Sequence, residues 1–473
     1  MPKVLLYELN EVPWRVIDTF VKRHPTSTLA EILKESLCYE TYTQDSGELH
    51  PWSTWPTVHR GVYNDVHDIR FLNQKILTPY KPSWELLEAH GVTVGVFGSL
   101  HSWPVPQKGY YAFYVPDTFA QDSHTLPSSL ESFQRFNLTQ TQRDSGVVAR
   151  HIRFNWTQLK DLIGIIRRGL KFKTLLQAIR QLIREVLNKN FKSVRSIYQS
   201  PIAFDLFFRL LTTQKPSYAT FFTNHVAGMM HRYWKYLYPE DFNYKLKSND
   251  DFFKAQAILR AMEIADEQLK KLKTFADAQG YGIAIVSSMG QEAIDRGEYL
   301  GQLHIRNMQT FYQAIQFEGA VKNNMAMSPD FTFEFQTLED LERFQNCVLN
   351  LTDTNGTPVF GFKRSDLTLN INLQTTAPLV KSGGLYRHQK SQKLSFIELG
   401  ITVEQRDPGT GYHQPKGIAI FYKKGVMPNQ ERTTIESVAI APTLLALFEA
   451  PIPGYMKAPI QKIVDSFKNA RKL

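Results

Sequence analysis

Short apolar runs alternate with helix-forming segments along this chain, and this alternation limits its possible folds more than any other feature. Residues 3–8 (KVLLYE) have the pattern of a buried strand, and apolar residues recur at helical spacing in the segments that follow. A second strand pattern, VTVGVFGSL, follows a helix ended by Gly91. Further strand patterns occur in SYATFFTNHVAG, YGIAIVSSMGQ and GIAIFYKKG. The alternation predicts an α/β fold.

Two stretches interrupt the alternation. Residues from about 120 to 215 have no strand pattern, and their apolar residues recur at helical spacing with Lys and Arg between them. A strand-helix-strand pattern with its own turns occupies 320–380. We therefore predict an α/β core formed by 1–119, 216–319 and 381–473, a basic helical insert at 120–215 acting as a lid or cap, and a small α+β insert at 320–380.

The net charge of +10 is concentrated in one region. Residues 160–195 contain ten Lys or Arg and two acidic residues, a net of +8. One interpretation is a lid whose basic face is solvated, and another is a face that docks on an anionic membrane surface or partner. No nucleic acid is expected, because no recognition motif accompanies the basic run.

The cysteine content and the N-terminal residues indicate the cellular compartment of the protein. The chain has two cysteines, Cys38 and Cys347. Two cysteines cannot build a disulfide framework, which favours a reducing environment. The apolar run at the N-terminus is broken at Glu8 and is too short for a signal sequence or a membrane span. We expect a cytoplasmic protein, with peripheral attachment to a membrane as the alternative.

The stretch 47–69 (GELHPWSTWPTVHRGVYNDVHDI) has the composition of a functional site. It combines two tryptophans, three histidines, two candidate hydroxyl nucleophiles (Thr54 and Thr57) and several carboxylates in 23 residues. It is too polar for a core strand and too aromatic for a solvated loop. Thr54 is the candidate nucleophile, with His59 and Glu48 as bases in the same stretch.

Several motifs in order resemble the type I phosphodiesterase/nucleotide pyrophosphatase branch of the alkaline phosphatase superfamily. PWSTWP is similar to its nucleophile loop, with Thr54 at the nucleophile, and GTGYHQPKG places His413 at a metal-ligand histidine. VAIAPTLLALFEAPIPGYM resembles its closing segment. The resemblance implies an alkaline-phosphatase-like fold, a mostly parallel central sheet between helices, and two divalent ions, usually zinc, flanking a phosphate.

The resemblance also implies metal ligands that this sequence lacks in part. Glu8 stands where an Asp is usual, and Ser288 and Met289 replace an Asp and a His. Ala227 replaces an Asp four residues before His231. The second metal site is therefore degenerate, while His225, His231 and His413 could hold one divalent metal, zinc or similar; binding no metal is the alternative.

The predicted function is phosphodiesterase-like hydrolysis or group transfer on an anionic small molecule or glycan that contains a sugar or nucleotide. One alternative is metal-free glycosyl hydrolysis or transfer with Glu8 and Glu48 as acid and base. The other is a binding module of the same fold without catalysis. The candidate substrate-binding residues are Asn10, Trp52, Trp55, Arg60, Trp103, Asn224 and Ser288.

Overall fold

A computed structural model describes residues 2–470 except 73, 143–155, 325, 328, 388–391, 406–407 and 430. An eight-stranded sheet forms its centre. In spatial order, the strands are Thr433–Glu436, Ser36–Tyr42, Lys416–Tyr422, Gly282–Val286, Val4–Leu9, Tyr218–Thr223, Val94–Phe97 and Tyr111–Val115.

The central sheet is parallel apart from one strand. Val4–Leu9 lies between two parallel neighbours, with Val4 opposite both Tyr218 and Gly282. Lys416–Tyr422 alone runs antiparallel to the strands on either side. The predicted α/β class with a mostly parallel central sheet is confirmed.

Helices cover both faces of the sheet, so both faces of each central strand are buried. Leu5, Tyr7 and Leu9 enter one hydrophobic cluster, and Val4 and Leu6 enter the other. The helices on the first face are Trp14–Arg23, Gln199–Gln214, His225–Leu237 and Ala257–Gln279. Those on the second are Pro51–Arg60, Ser83–Ala89, Ile440–Leu447 and Gln461–Asn469.

The segment from 120 to 215 is helical wherever the structure describes a regular element. Its elements are Ser128–Leu130, Glu131–Gln142, Trp156–Arg167, Phe172–Leu187, Lys189–Tyr198 and Gln199–Gln214. Among the described residues of the chain, no helix is both long enough and apolar enough to cross a membrane.

A second, antiparallel sheet has its own hydrophobic cluster, which extends from Leu303 to Ile401. Its strands, in spatial order, are Phe360–Ser365, Thr368–Leu373, Asp330–Phe335 and Val321–Asn324. Residues alternate strictly in DFTFEF and TLNINL, so Phe331, Phe333 and Phe335 enter the cluster while the other face is polar. Helix Leu338–Leu349 packs on the apolar face. The domain boundaries proposed from the sequence remain predictions.

The remaining elements connect these parts. Short helices are Thr28–Leu33, Asn64–His67, Pro239–Phe242, Asn249–Ala255, Met308–Ala314, Ala377–Ser382 and Ser437–Ala439. Two-stranded pairs are Gly290–Ala293 with Gly411–Gln414, and Gln302–Ile305 with Ile401–Glu404; a three-stranded sheet contains Leu351–Thr352, Gly384–Arg387 and Gln392–Ser395.

Phe344→Ala is expected to destabilise the cluster of the second sheet. Phe344 is fully buried, and its ring lies 4.9 Å from that of Phe333 and 5.1 Å from that of Phe317. Loss of a buried phenyl ring typically costs about 3–5 kcal/mol of the free energy of unfolding. Urea denaturation measures this, with exposed Glu342→Ala on the same helix as the control. A loss below about 1 kcal/mol would contradict the described packing.

Candidate functional site

The carboxyl ends of three neighbouring parallel strands meet at one edge of the central sheet. Asn10 and Glu11 follow the first strand, Asn224 follows Tyr218–Thr223, and Ser287 and Ser288 follow Gly282–Val286. Open α/β sheets bind ligands at such an edge. The backbone N–H of Val12 donates to the Ser287 hydroxyl at 3.1 Å, which fixes two of these strand ends together.

Glu11 is the centre of the polar group at this edge. Its Oε2 lies 2.9 Å from Nε2 of His231 and 3.4 Å from Nε2 of His413. One ligand atom from each of the three residues lies within 4.8 Å of the other two. The Glu11 backbone has a φ of 60°, which is strained for a residue with a Cβ and is found disproportionately at functional sites.

The orientation of His231 is set by a carbonyl. Its Nδ1 lies 3.0 Å from the Gly411 carbonyl oxygen, which can only accept, so Nδ1 carries a proton. Nε2 is therefore the atom directed at the Glu11 carboxylate. A carbonyl partner for the other ring nitrogen is the usual support of a metal-bound histidine.

Gly411 is required where it lies. A Cβ at this position would come within 2.4 Å of the Met230 carbonyl oxygen, closer than real Cβ atoms approach a backbone. The absence of a side chain lets the strand Gly411–Gln414, which bears His413, approach the helix that bears His231.

Two amides complete the environment of Glu11. Asn10 donates to Oε1 at 2.8 Å, and Gln291 donates to Oε2. Burial alone would raise the pKa of Glu11, but the charges of His413 and His231 hold it well below its usual range. Burial alone would lower the pKa of His413, but the Glu11 carboxylate raises it above its ordinary value. Glu11 is thus an anion with an imidazole nitrogen of His231 on one side and of His413 on the other.

His225, a predicted metal ligand, lies outside the group of Glu11, His231 and His413. Its Nδ1 accepts from the Thr223 hydroxyl at 2.7 Å, and its Nε2 donates to the Ala261 carbonyl oxygen at 3.0 Å. Burial lowers its pKa to about 4. Both ring nitrogens are used in the interior, so Glu11 and not His225 accompanies His231 and His413.

Thr54 lies in the first turns of helix Pro51–Arg60, and its hydroxyl is fully buried. Its Oγ1 lies 2.7 Å from Oγ of Ser288, which is equally buried. His50, which precedes this helix, places its ring edge-on to that of His413 with centroids 5.6 Å apart. The structure therefore brings Thr54 and Ser288 together, one helical turn from a residue that contacts the histidine group.

Glu48 faces a different set of partners at the rim of this site. The Tyr412 hydroxyl donates to it, and Nε2 of His50 lies 3.5 Å away. The nearby ring of His50 is the main reason that the pKa of Glu48 falls to about 2. Trp52 stacks on His50 with centroids 4.4 Å apart and is buried, so it supports the rim and does not offer a free face to a substrate.

Glu8 and His59, the latter within helix Pro51–Arg60, are both fully buried in the interior. Their catalytic role remains a prediction. Glu8 is fully buried; its Oε1 accepts from Ser99 at 2.8 Å and lies 3.5 Å from Nε2 of His59. Burial raises the pKa of Glu8 to about 8 and lowers that of His59 well below its usual range. Glu8 contacts Ser99 and His59, whereas Glu48 contacts Tyr412 and His50, and the predicted acid-base pair remains a prediction.

Two other predicted substrate contacts are also interior. Arg60 is buried, and desolvation lowers its pKa to about 10; its Nε and Nη1 have no hydrogen-bond partner in the described part of the chain. Trp55 is fully buried and donates to Asn10 at 2.8 Å. Asn10 in turn donates to exposed Asn224 at 2.7 Å. Arg60 is not placed to clamp a phosphate, whereas Trp55 and Asn10 position Glu11 and Asn224.

A cavity of about 450 Å³ lies between the core loops and the polar face of the second sheet. Its lining includes Trp103, Asp117, Lys322, Asn324, Glu334 and Thr368. Its charged groups are largely paired, because Lys322 contacts Glu334 at 3.0 Å and Lys75 contacts Asp366 at 3.5 Å. The cavity therefore has hydrogen-bonding groups and an aromatic wall without a strong excess of positive charge.

Sequence reasoning assigned no role to Glu11, Gln291, His50 or Tyr412. Gln291 pairs with His413 across two short antiparallel strands, and no local pattern signals that pairing. A usable signal existed for Glu11, since it is the first carboxylate after the end of the first strand, one residue beyond Asn10.

No protein-family model matches this chain, and no curated protein matches it. Three solved structures align with 98% of this chain and 99% of their own, each at 9% sequence identity. They are murine ectonucleotide pyrophosphatase/phosphodiesterase 5 as an inactive variant in complex with AMP (TM-score 0.46), the same murine protein (0.42), and its human counterpart (0.43). At these TM-scores the similarity does not bear on the function of this chain.

Glu8→Gln is expected to remove a pH dependence of stability. Because the pKa of Glu8 is raised in the folded state, its favourable contribution is fully present below its ordinary value of 4.5 and is lost as pH rises through about 8. The wild type should lose up to about 1.4 kcal/mol per pH unit from this group between these values, and the neutral variant should not. Urea denaturation at pH 5, 6.5 and 8 compares the two. Parallel profiles would show that Glu8 does not carry this shift.

Proposed function

We propose that this protein is a metal-dependent phosphoester hydrolase of phosphodiesterase type that acts on an anionic substrate containing a sugar or nucleotide. The observation that carries the proposal is the group of Glu11, His231 and His413 at the carboxyl edge of the sheet. Glu11 supplies the carboxylate that is missing four residues before His231, where the chain has Ala227.

The donor set fits one divalent cation. A carboxylate oxygen and two imidazole nitrogens are the ligands of catalytic zinc sites, which use three protein ligands and leave a position open for substrate. The ring of His231 is oriented by Gly411, and Glu11 by Asn10 and Gln291, so the ligands have the supporting contacts that such sites need. A cation held there would polarise a phosphoryl oxygen.

The chain's own residues supply the remaining parts of the proposed reaction. Thr54 is the proposed nucleophile, and Ser288 orients its hydroxyl at 2.7 Å. In the proposed step the Thr54 hydroxyl leaves Ser288 and its oxygen forms a bond to the substrate phosphorus. The bond from phosphorus to the leaving alcohol oxygen breaks, and the Thr54 proton passes through water to that oxygen, so that the alcohol departs. Exposed Asn224 stands at the same edge, held by Asn10, and is placed to donate to a phosphoryl oxygen.

The cavity beside Trp103 is the proposed site for the sugar-containing part of the substrate. Lys322, Asn324, Glu334 and Thr368 of the second sheet supply donors and acceptors on the wall of this cavity. Paired charges, amides and an aromatic wall suit a neutral polyol better than a second phosphate.

Glu11→Gln and His413→Ala are expected to weaken zinc binding and turnover together. Removal of supporting partners of metal ligands typically costs about 10–100-fold in affinity or activity, and removal of a ligand should cost at least as much. Metal analysis and hydrolysis of a nitrophenyl phosphodiester measure the two effects. Exposed His90→Ala is the matched control. Full activity of both variants after metal chelation would refute the metal-dependent reaction.

Thr54→Ala and Thr54→Ser separate the enzyme from a binding module. The binding module is the second candidate because Thr54 and Ser288 are both fully buried and bonded to each other. For the enzyme, Thr54→Ala should abolish turnover, while Thr54→Ser, which keeps the hydroxyl, should retain it. Binding of zinc without turnover by the wild type would favour the binding module.

A further inference from the structure

Helix Phe172–Leu187 is packed with its polar side inward. Thr174, Gln181 and Glu185 are its buried residues. At 3.6 residues per turn they share one side of the helix, and the apolar residues lie on the opposite side. A surface helix of a globular protein normally has the reverse arrangement.

Specific contacts hold the helix in this orientation. The Thr174 hydroxyl donates to Asp205 at 2.5 Å, and Gln181 donates to the Phe191 carbonyl oxygen at 2.7 Å. Glu185 accepts from Nε of Arg195 at 2.9 and 3.0 Å. These bonds occur along three turns of the helix, so rotation of the apolar side toward the core would break all of them.

The outward side presents large apolar side chains to solvent. Val186 is 86% exposed, Leu187 80% and Phe172 72%, and three further residues on that side are more than two-fifths exposed: Ile179, Leu182 and Ile183. Ile163 and Ile166 of the preceding helix, Trp156–Arg167, are about two-fifths exposed as well. Contiguous exposed apolar residues of this kind mark a surface that binds a membrane or another protein.

Basic side chains flank these apolar residues, and the acidic ones are turned away. The exposed cations of the segment are Lys160, Arg167, Arg168, Lys171, Lys173, Arg180, Arg184, Lys189 and Lys192. Its two acidic residues are buried and paired, Asp161 with Arg135 at 3.0 Å and Glu185 with Arg195. Among the described residues, the outward surface therefore combines apolar side chains with an excess of positive charge, in which Lys173 pairs with exposed Glu267.

We propose that helix Phe172–Leu187 and the end of Trp156–Arg167 dock the protein on an anionic membrane surface. A helix with an apolar side and flanking Lys and Arg lies in the interface plane, with its apolar residues between the headgroups and its cations on anionic lipid. Charge favours this occupant over a second copy of the chain, because pairing of two such surfaces would bring like charges together. The proposal is independent of the chemistry proposed at Glu11.

Vesicle flotation of the full chain tests the proposal. The wild type should float with phosphatidylcholine vesicles containing 30% phosphatidylglycerol, not with phosphatidylcholine alone, and added salt should reduce binding. Val186→Glu with Leu187→Glu should weaken partitioning at least tenfold, as should Arg180→Glu with Arg184→Glu. Ile397→Glu, at a residue 85% exposed on another part of the molecule, is the matched control and should float as the wild type does.

Three results would overturn the proposal. The first is failure of the wild type to bind the anionic vesicles. The second is equal flotation of the wild type and the Val186→Glu, Leu187→Glu variant. The third is a wild-type dimer in light scattering that this variant converts to a monomer, which would assign the surface to a second copy. Circular dichroism of the variants tests whether the helix is retained. We expect it to be retained, because Val186 and Leu187 are largely exposed.

Discussion

The Glu11 carboxylate is the interaction on which the candidate site depends. It joins the end of the central strand to a helix through His231 and to a two-stranded pair through His413 and Gln291. A positive φ costs a residue with a Cβ on the order of 1–2 kcal/mol. Two imidazole contacts and two amide hydrogen bonds offset that strain. Backbone strain of this kind generally persists only where the contacts of the surrounding residues hold the strained conformation in place.

Two carboxylates three residues apart have opposite environments because of strand geometry. Glu8 is on the strand face shared by Val4 and Leu6, so it enters the interior, where burial raises its pKa to about 8. Glu11 lies beyond the strand and faces two histidines, which lower its pKa. The side chain that follows the strand, not the one within it, is therefore the anion available to a cation.

The central sheet and part of the candidate site could be predicted from the sequence. The contacts within the site depend on residues that are distant in the sequence. Strand periodicity identified the central sheet, and composition identified the stretch that carries Thr54 as a functional site, although the structure forms a helix, Pro51–Arg60, where a loop was expected. His231 and His413 were expected together, but the partner was expected to be His225, two residues after a strand. A sequence pattern cannot reveal that the His225 ring turns into the core toward Ala261, or that Gln291 lies opposite His413. The outward apolar side of Phe172–Leu187 was also hidden, since periodicity shows that a helix has two sides and not which one is buried.

The proposed function requires Glu11, His231 and His413 to hold one divalent cation. The most direct measurement is anomalous diffraction at the zinc edge from crystals of the zinc-loaded protein. We predict one peak at about 2.0–2.2 Å from the Glu11 carboxylate and from Nε2 of each histidine, the distances typical of zinc. No peak between these three residues, or a peak bound by other side chains in their place, would contradict the assignment of this metal site.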